Sequence, residues 1–368
     1  MIPRKILVIK LRSLGDTLLM TAPLNELRRS YPEAEIHVAV SQAWAPLLEH
    51  HPAVNRIWTY LRRPEPGSRA KAVARLAFQL RKEKYDLAIN LHSSPSSSAI
   101  AYATGAPVRS IHFHGLQDKN RYSTVVIPGK GQVKPIIERD MDTIRALGIH
   151  VPAGRMPDVV LTPSEMIRAD EQLNSMGLKS PVLVLGLGAT RPSKMWPMDR
   201  FAALALSWVQ DTQGSVLGIG SADEKELEQD FLRHLDALSS DPATRTEMRA
   251  KIQTQFGLPL RRVAALLSRC QVMAGNDSGP RHLAVAVRLP TVTLFGPEDP
   301  FEWHPYPPNM HPYFFMADLP CRKDADAGQR AWCAVDTCVD EDLKCLRSIG
   351  IDAVLAQCKR LAQEYRLK

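Results

Sequence analysis

Val272-Met273-Ala274-Gly275-Asn276-Asp277-Ser278-Gly279-Pro280-Arg281-His282-Leu283-Ala284-Val285-Ala286-Val287 passes from an apolar run through a tight polar loop into a second apolar run of helical period. Residues 272–274 read as a buried strand and residues 280–287 as a helix. Asp277 or Ser278 can cap that helix, and Pro280 stands near its first position. Such a loop leaves backbone amides unpaired at the positive end of the helix dipole, which favours an anion. His282 falls in the first helical turn and can donate to a phosphate, although a lone histidine there is more often structural.

A second loop of the same kind lies upstream. Residues 182–187 read as a strand, and Gly186-Leu187-Gly188-Ala189-Thr190-Arg191-Pro192-Ser193-Lys194-Met195-Trp196-Pro197 follows directly. Gly186 and Gly188 allow close backbone approach. Thr190 offers a hydroxyl, and Arg191 and Lys194 offer charge-assisted bonds to phosphate oxygens. Pro197 suits the first turn of a helix over 198–209. Taken alone, this loop reads equally well as a solvated basic turn; two such loops at strand ends point to phosphate. Neither matches the P-loop or the dinucleotide fingerprint, since Arg191 occupies the third glycine position.

Around these loops the chain alternates strands and helices. The second half adds strands at 215–219 and 291–295, helices at 223–238 and a closing amphipathic helix at 352–367. The first half has strands at 5–10, 35–40 and 87–91, shorter β-rich pieces at 108–113 and 124–127, and helices at 17–30 and 70–82. Pro152, Gly154, Pro157 and Pro163 mark an interdomain linker. The pattern predicts two doubly wound α/β halves, with ligands in a cleft at the carboxyl ends of the strands. We expect domains at 1–160 and 161–345, and a C-terminal helix over 346–368 that packs back on the first.

In the first half, Lys10-Leu11-Arg12-Ser13-Leu14-Gly15-Asp16-Thr17 joins strand one to helix one. Asp16 suits a helix N-cap, and it equally suits a general base aimed into the cleft.

Composition bounds the partners. The 368 residues carry a formal net charge of +8, which favours anionic ligands. Arg62, Arg63, Arg69, Lys71, Arg75, Arg81, Lys82 and Lys84 supply much of the excess, mostly as a solvated helix face. Aromatic and basic residues are not interleaved as a base-stacking surface needs, so nucleic acid is not an expected partner. Apolar runs fall well short of the ~20 residues that span a bilayer. Lys10 and Arg12 interrupt any secretory core, so the expected location is the cytoplasm.

The opening segment with Ser13-Leu14-Gly15-Asp16, the loop from Thr190 to Pro197, and Asn276-Asp277-Ser278-Gly279-Pro280-Arg281-His282-Leu283-Ala284 together resemble glycosyltransferase family 9, the heptosyltransferases of lipopolysaccharide core synthesis. Pro290-Thr291-Val292-Thr293-Leu294-Phe295-Gly296-Pro297-Glu298-Asp299-Pro300 extends the likeness. The resemblance implies a GT-B fold, with two Rossmann-like domains facing a central cleft. It also implies an ADP-heptose donor, inversion at the anomeric carbon, no cofactor and no required metal. Carried over by position, Asp16 resembles the catalytic base, with Lys194 assisting. Thr190, Arg191, Lys194, Asp277, Ser278, Gly279 and His282 resemble donor-binding residues. A further family carboxylate corresponds to Asp223 or Glu224. Arg12, Ser13, Arg62 and Arg63 are candidates for binding an anionic glycolipid acceptor, or plain surface charge. Such an acceptor leaves room for peripheral contact with the cytoplasmic face of the inner membrane. A nucleotide-sugar epimerase and a non-catalytic sugar-nucleotide binder are the alternatives.

Cys321, Cys333, Cys338 and Cys345 crowd one segment without paired C-x-x-C spacing, which leaves a metal site, a redox pair or unpaired thiols open. Cys270 and Cys358 read as core residues. Asp324-Ala325-Asp326 and Asp340-Glu341-Asp342 lack the strand context of a D-x-D metal motif and read as solvated acids.

Overall fold

A computed structural model describes residues 2–60, 68–92, 94–112, 121–127, 133–323, 338 and 342–365. The chain forms two compact units, Met1–Val160 and Leu161–Lys368.

The first unit is built on β1 (Lys5–Lys10), β2 (Glu35–Ser41), β3 (Arg56–Tyr60), β4 (Leu87–Asn90) and β5 (Val108–Ile111). All pair in parallel, in the order β3-β2-β1-β4-β5. The central strand β1 reads KILVIK and is buried from Ile6 to Lys10, as a parallel strand covered on both faces must be. Leu7 and Ile9 pack with Leu76, Leu80, Ile100 and Ala101 from helices Ser68–Arg81 and Pro95–Ala103.

The second unit contains β6 (Val182–Gly186), β7 (Ser215–Gly220), β8 (Ile252–Phe256), β9 (Val272–Asn276), β10 (Thr291–Phe295) and β11 (Tyr313–Phe315). It too is parallel, in the order β11-β10-β9-β6-β7-β8. In each sheet the direction of winding reverses beside one central pair, β1 with β4 and β6 with β9. Parallel α/β sheets bind ligands at such reversal points, beyond the carboxyl ends of the strands.

The structure departs from the expected elements at several places. Residues 124–127 form no strand; Thr124 is pinned beside β5 by an amide bond to the Arg109 carbonyl and by its hydroxyl, which accepts from the Arg109 amide. Helix one starts earlier, at Leu14, and is divided into Leu14–Leu19 and Thr21–Ser30. Pro163 opens a helix rather than ending a linker: it is the first residue of Pro163–Ser175, capped by Thr162 in a reciprocal box with Glu165. The closing helix Ile351–Glu364 packs against helix Met198–Thr212, β9 and β10. Its apolar face, Val354, Leu355, Cys358 and Leu361, joins Leu183, Trp208 and Leu294 in the second unit's core. Cys270 and Cys358 are both buried, as their apolar surroundings in sequence imply.

Leu361 is fully buried in this core. Leu361→Ala should therefore lower unfolding free energy by about 2–5 kcal/mol, the range for truncating a buried leucine. Denaturant titration checks this, and a loss below about 1 kcal/mol would place the helix outside the core.

Candidate functional site

The two glycine-containing loops leave β6 and β9 side by side. Gly186 pairs with Gly275 in register, and a Cβ placed on Gly275 would stand 3.1 Å from the Gly186 backbone. Glycine at both positions lets the strand ends close together. Asn276 then ties the loops: its Oδ1 accepts from the Trp196 amide at 2.8 Å, and its Nδ2 donates to the Leu187 carbonyl at 2.9 Å. Trp196 is itself fully buried and donates its indole N–H to the Leu346 carbonyl.

This tie brings the expected cations together, with carboxylates between them. Lys194 Nζ donates to Asp277 Oδ2 at 2.7 Å and stands 3.3 Å from Glu298 Oε1, which also pairs with Arg191. Asp277 Oδ1 accepts from Arg281 Nη2 at 2.6 Å, and Arg281 also donates to the Trp303 carbonyl. Burial raises the Asp277 carboxyl, but the charges of Arg281 and Lys194 outweigh it and hold the group well below the usual carboxylate range. Asp277 is thus a hub that sets two cations rather than a group standing alone.

Helix Gly279–Ala286 begins at this corner. Ser278 is its N-cap residue, yet its side chain makes no capping bond, and its buried Oγ has no hydrogen-bond partner in the structure. That leaves an orphan hydroxyl beside the orphan amides of the helix start. His282, in the first turn, is buried, and its Nδ1 bonds the Tyr306 hydroxyl. Burial, reinforced by Arg281, pushes its pKa well below the ordinary histidine value, so the ring is neutral at pH 7. A neutral imidazole engaged through Nδ1 has Nε2 left for another partner.

Glu224 joins the same corner. Its carboxylate stands where a Cβ on Gly188 would fall, with Oε1 at 2.0 Å from that point, and Oε2 accepts from the Ser221 amide. A side chain at 188 would displace that carboxylate. The neighbouring Asp223 is exposed, so Glu224 is the carboxylate that the fold brings to the loop. Thr190 is exposed and Gly279 opens the helix.

In the first unit, the cap of helix Leu14–Leu19 is Ser13, not Asp16. Asp16 occupies the third helical position and completes a capping box, with its Oδ2 accepting from the Ser13 hydroxyl at 2.7 Å. Its Oδ1 lies 3.7 Å from the ammonium of Lys10, which is buried and forms a two-pronged pair with Asp140 at 2.8 and 2.9 Å. Burial raises the Asp16 carboxyl, while Lys10, Ser13 and Arg12 lower it by more, so it is ionised at pH 7. Arg12 and Ser13 are exposed.

Arg62, Arg63, Cys333, Asp324, Asp326, Asp340 and Glu341 lie outside the described residues. Among the described residues no three His, Cys, Asp or Glu side chains gather in a form that could hold a metal ion.

Sequence reasoning passed over Lys10, Asp140, Arg281, Glu298 and Tyr306. Arg281 carried a usable signal, because it sits four residues after Asp277 on the same helical start. Asp140 carried none, being 130 residues from its partner.

Two doubly wound parallel α/β units, the second with cations and helix-start amides gathered at its reversal point, define the GT-B fold class. Residues 73–333 match the model of glycosyltransferase family 9 (heptosyltransferase), and the chain belongs to that family. It is 30% identical over 313 residues to lipopolysaccharide heptosyltransferase 2 of Escherichia coli strain K12, covering 80% of this chain and 84% of that protein. It is 25% identical over 327 residues to lipopolysaccharide heptosyltransferase 3 of the same strain, covering 86% and 90%. A glycosyl transferase family 9 structure from Veillonella parvula shares the fold with a TM-score of 0.76 at 21% identity, covering 98% of this chain and 97% of that one. The structure of E. coli ADP-heptose lps heptosyltransferase II does so at 0.74 and 23%, covering 98% and 99%. The protein is therefore a glycosyltransferase of lipopolysaccharide core biosynthesis, which sets aside the epimerase and the non-catalytic binder.

His282, His304 and His311 are all buried in the second unit. Burial lowers His304 to about 3 and His311 to about 4, and pushes His282 down as well. Unfolded, each regains a pKa near 6.5, so between that value and the folded ones the unfolded chain binds more protons. Stability should be complete above pH 6.5 and fall as pH drops toward 4, by up to about 1.4 kcal/mol per unit for each histidine. Urea midpoints followed by tryptophan fluorescence at pH 7, 6 and 5 check this; an unchanged midpoint would contradict it.

Proposed function

We propose that the enzyme transfers a heptose from ADP-heptose to an anionic sugar of the lipopolysaccharide core, with inversion and without a metal. The observation that carries the reading is the corner where Asn276 joins two strand-end loops, gathering Lys194, Arg191, the orphan Ser278 hydroxyl and the start of helix Gly279–Ala286. Those groups suit a diphosphate, and the two E. coli heptosyltransferase relatives make a heptose the natural donor sugar. The ADP carrier is taken over from the E. coli ADP-heptose enzyme that shares the fold.

In this reading the second unit binds the donor. Phosphate oxygens accept from Lys194, the Ser278 hydroxyl, the Gly279 amide and Nε2–H of neutral His282. Thr190, Arg191 and Glu224 complete the contacts, and Asp277 holds Lys194 in place. The first unit binds the acceptor, with Arg12, Ser13, Arg62 and Arg63 offered to its anionic groups. Asp16, ionised at neutral pH, removes the proton of the attacking hydroxyl. The hydroxyl displaces the diphosphate from the opposite face of the anomeric carbon, which inverts it. Negative charge grows on the departing phosphate, where Lys194 and the helix start stabilise it.

Asp16→Asn should leave donor binding within about twofold while cutting transfer by at least 10²–10⁴-fold, the span of general-base catalysis. Lys194→Ala should weaken the donor complex by calorimetry and lower kcat by on the order of 10²-fold. Wild-type transfer should persist in excess chelator. Full turnover by Asp16→Asn would remove the assigned base, and loss of activity in chelator would remove the metal-free mechanism.

The acceptor is a membrane lipid, so we place the enzyme at the cytoplasmic face of the inner membrane. No helix among the described residues is long enough and apolar enough to cross it. Contact falls to the exposed face of helix Ser68–Arg81 and the turn after it, where Phe78 is 62% exposed and Lys82 lies over its ring at 4.4 Å, beside Lys71 and Arg75. Such a face lays an apolar side chain and lysines on acidic headgroups. The protein should sediment with vesicles containing phosphatidylglycerol but not with pure phosphatidylcholine, and Phe78→Ser with Lys82→Glu should abolish this. Equal recovery with both vesicles would reject an acidic-membrane contact.

A further inference from the structure

Lys10 and Asp140 form a buried ion pair, 2% and 0% exposed, at the carboxyl end of the central strand β1. Burying two charges costs more than their attraction commonly returns, so such a pair is weak evidence of a stabilising role. Its place is informative. The same ammonium that Asp140 grips with both oxygens stands 3.7 Å from Asp16 Oδ1, just outside hydrogen-bonding distance. Ser13 occupies the other Asp16 oxygen. Lys10 is therefore shared unequally: bonded to Asp140 and merely adjacent to Asp16.

A carboxylate that must gain a proton is hindered by an ammonium bonded directly to it, since the ion pair favours the charged form. An ammonium held slightly away keeps the group ionised with less loss of proton affinity. We propose that Asp140 is a positioning residue that draws Lys10 off Asp16 and so keeps Asp16 competent as a base. The inference rests on the reading of Asp16 as the base.

The groups around Asp16 define the balance. Lys10 faces it from β1, and Arg12 and Ser13 from the following turn. Asp140 projects from helix Ile136–Arg145, where Arg139 adjoins it. Burial raises the Asp140 carboxyl to about 6, against the pull of Lys10, whereas Asp16 is lowered from its ordinary value. Asp140 therefore takes up a proton first as pH falls. Once neutral, it releases its ionic hold, and Lys10 turns to Asp16. Activity should drop through pH 6 while Asp16 is still ionised.

The test is the pH dependence of kcat at saturating donor and acceptor, for wild type, Asp140→Asn and the double variant Lys10→Met with Asp140→Asn. The wild-type acid limb should lie near pH 6. Asp140→Asn should lose that limb and run on the order of 10-fold slower at pH 7.5, short of the 10²–10⁴-fold expected for removing the base itself. Donor affinity by calorimetry should match wild type. The double variant, with no ammonium to close on Asp16, should recover activity over Asp140→Asn. A wild-type limb below pH 5, or a folded Asp140→Asn with wild-type kcat and profile, would overturn the proposal, as would a double variant no faster than the single. If Asp140→Asn does not fold, the double variant is read against wild type instead: turnover near wild type at pH 7.5 without the limb near pH 6 supports the proposal, and a retained limb overturns it. Asp16→Asn separates the two ideas: if it retains transfer, the base assignment fails, whereas an inactive Asp16→Asn beside a normal Asp140→Asn sinks only the role of Asp140.

Discussion

The corner of the second unit that gathers its cations depends on one amide side chain. Asn276 accepts from the Trp196 amide and donates to the Leu187 carbonyl, so one residue fixes both ends of the Gly186–Pro197 loop against the end of β9. Each of these backbone groups, if left buried and unpaired, would cost about 1–3 kcal/mol. The amide group offers an adjacent donor and acceptor, and the only other side chain that carries it, glutamine, is a methylene longer. The glycine pair 186 and 275 makes this geometry available by letting the strand ends approach. With the loop anchored, Lys194 and Arg191 reach Asp277 and Glu298 rather than solvent.

The two sheets solve one problem in two ways. In both, polar chemistry is set at the point where winding reverses, because only there do two adjacent strands send their loops to opposite sides and leave a crevice. The second unit fills the crevice edge with cations and helix-start amides, a setting for anions. The first fills it with Asp16 and the Lys10–Asp140 pair, a setting for a carboxylate whose proton affinity is tuned by its neighbours.

Central strands were legible because parallel strands buried on both faces are continuous apolar runs. Lys5–Lys10 and Thr291–Phe295 are found with the bounds their runs imply. The strands that went unseen lie toward the edges: β3 (RIWTY), β8 (IQTQF) and β11 (YFF) are partly exposed and carry polar residues. Their pairing comes from neighbours distant in sequence, not from their own pattern. The site divides similarly. Loops following strands were visible through glycine, proline and capping residues, so the corner proposed to hold a phosphate could be drawn around Asp277, Ser278 and Lys194. The carboxylates that hold its cations were not, since Glu298 reaches Arg191 across 107 residues. Asp16 was legible as a helix-start residue but not as the third position of a box capped by Ser13, because one turn separates those two readings. Between Asp223 and Glu224, which the resemblance left open, the choice came only from the space Glu224 occupies over Gly188.

The prior pairing of Lys194 with Asp277 and of Arg191 with Glu298 bears on the end of a reaction cycle as much as its start. A bare cluster of cations would seize a diphosphate and keep it, turning a good leaving group into a tenacious inhibitor. On the proposed reading, an arriving phosphate would share its cations with the resident carboxylates, which would pair with those cations again as it left. A corner so paired would hold a diphosphate less tightly than bare cations and release it sooner.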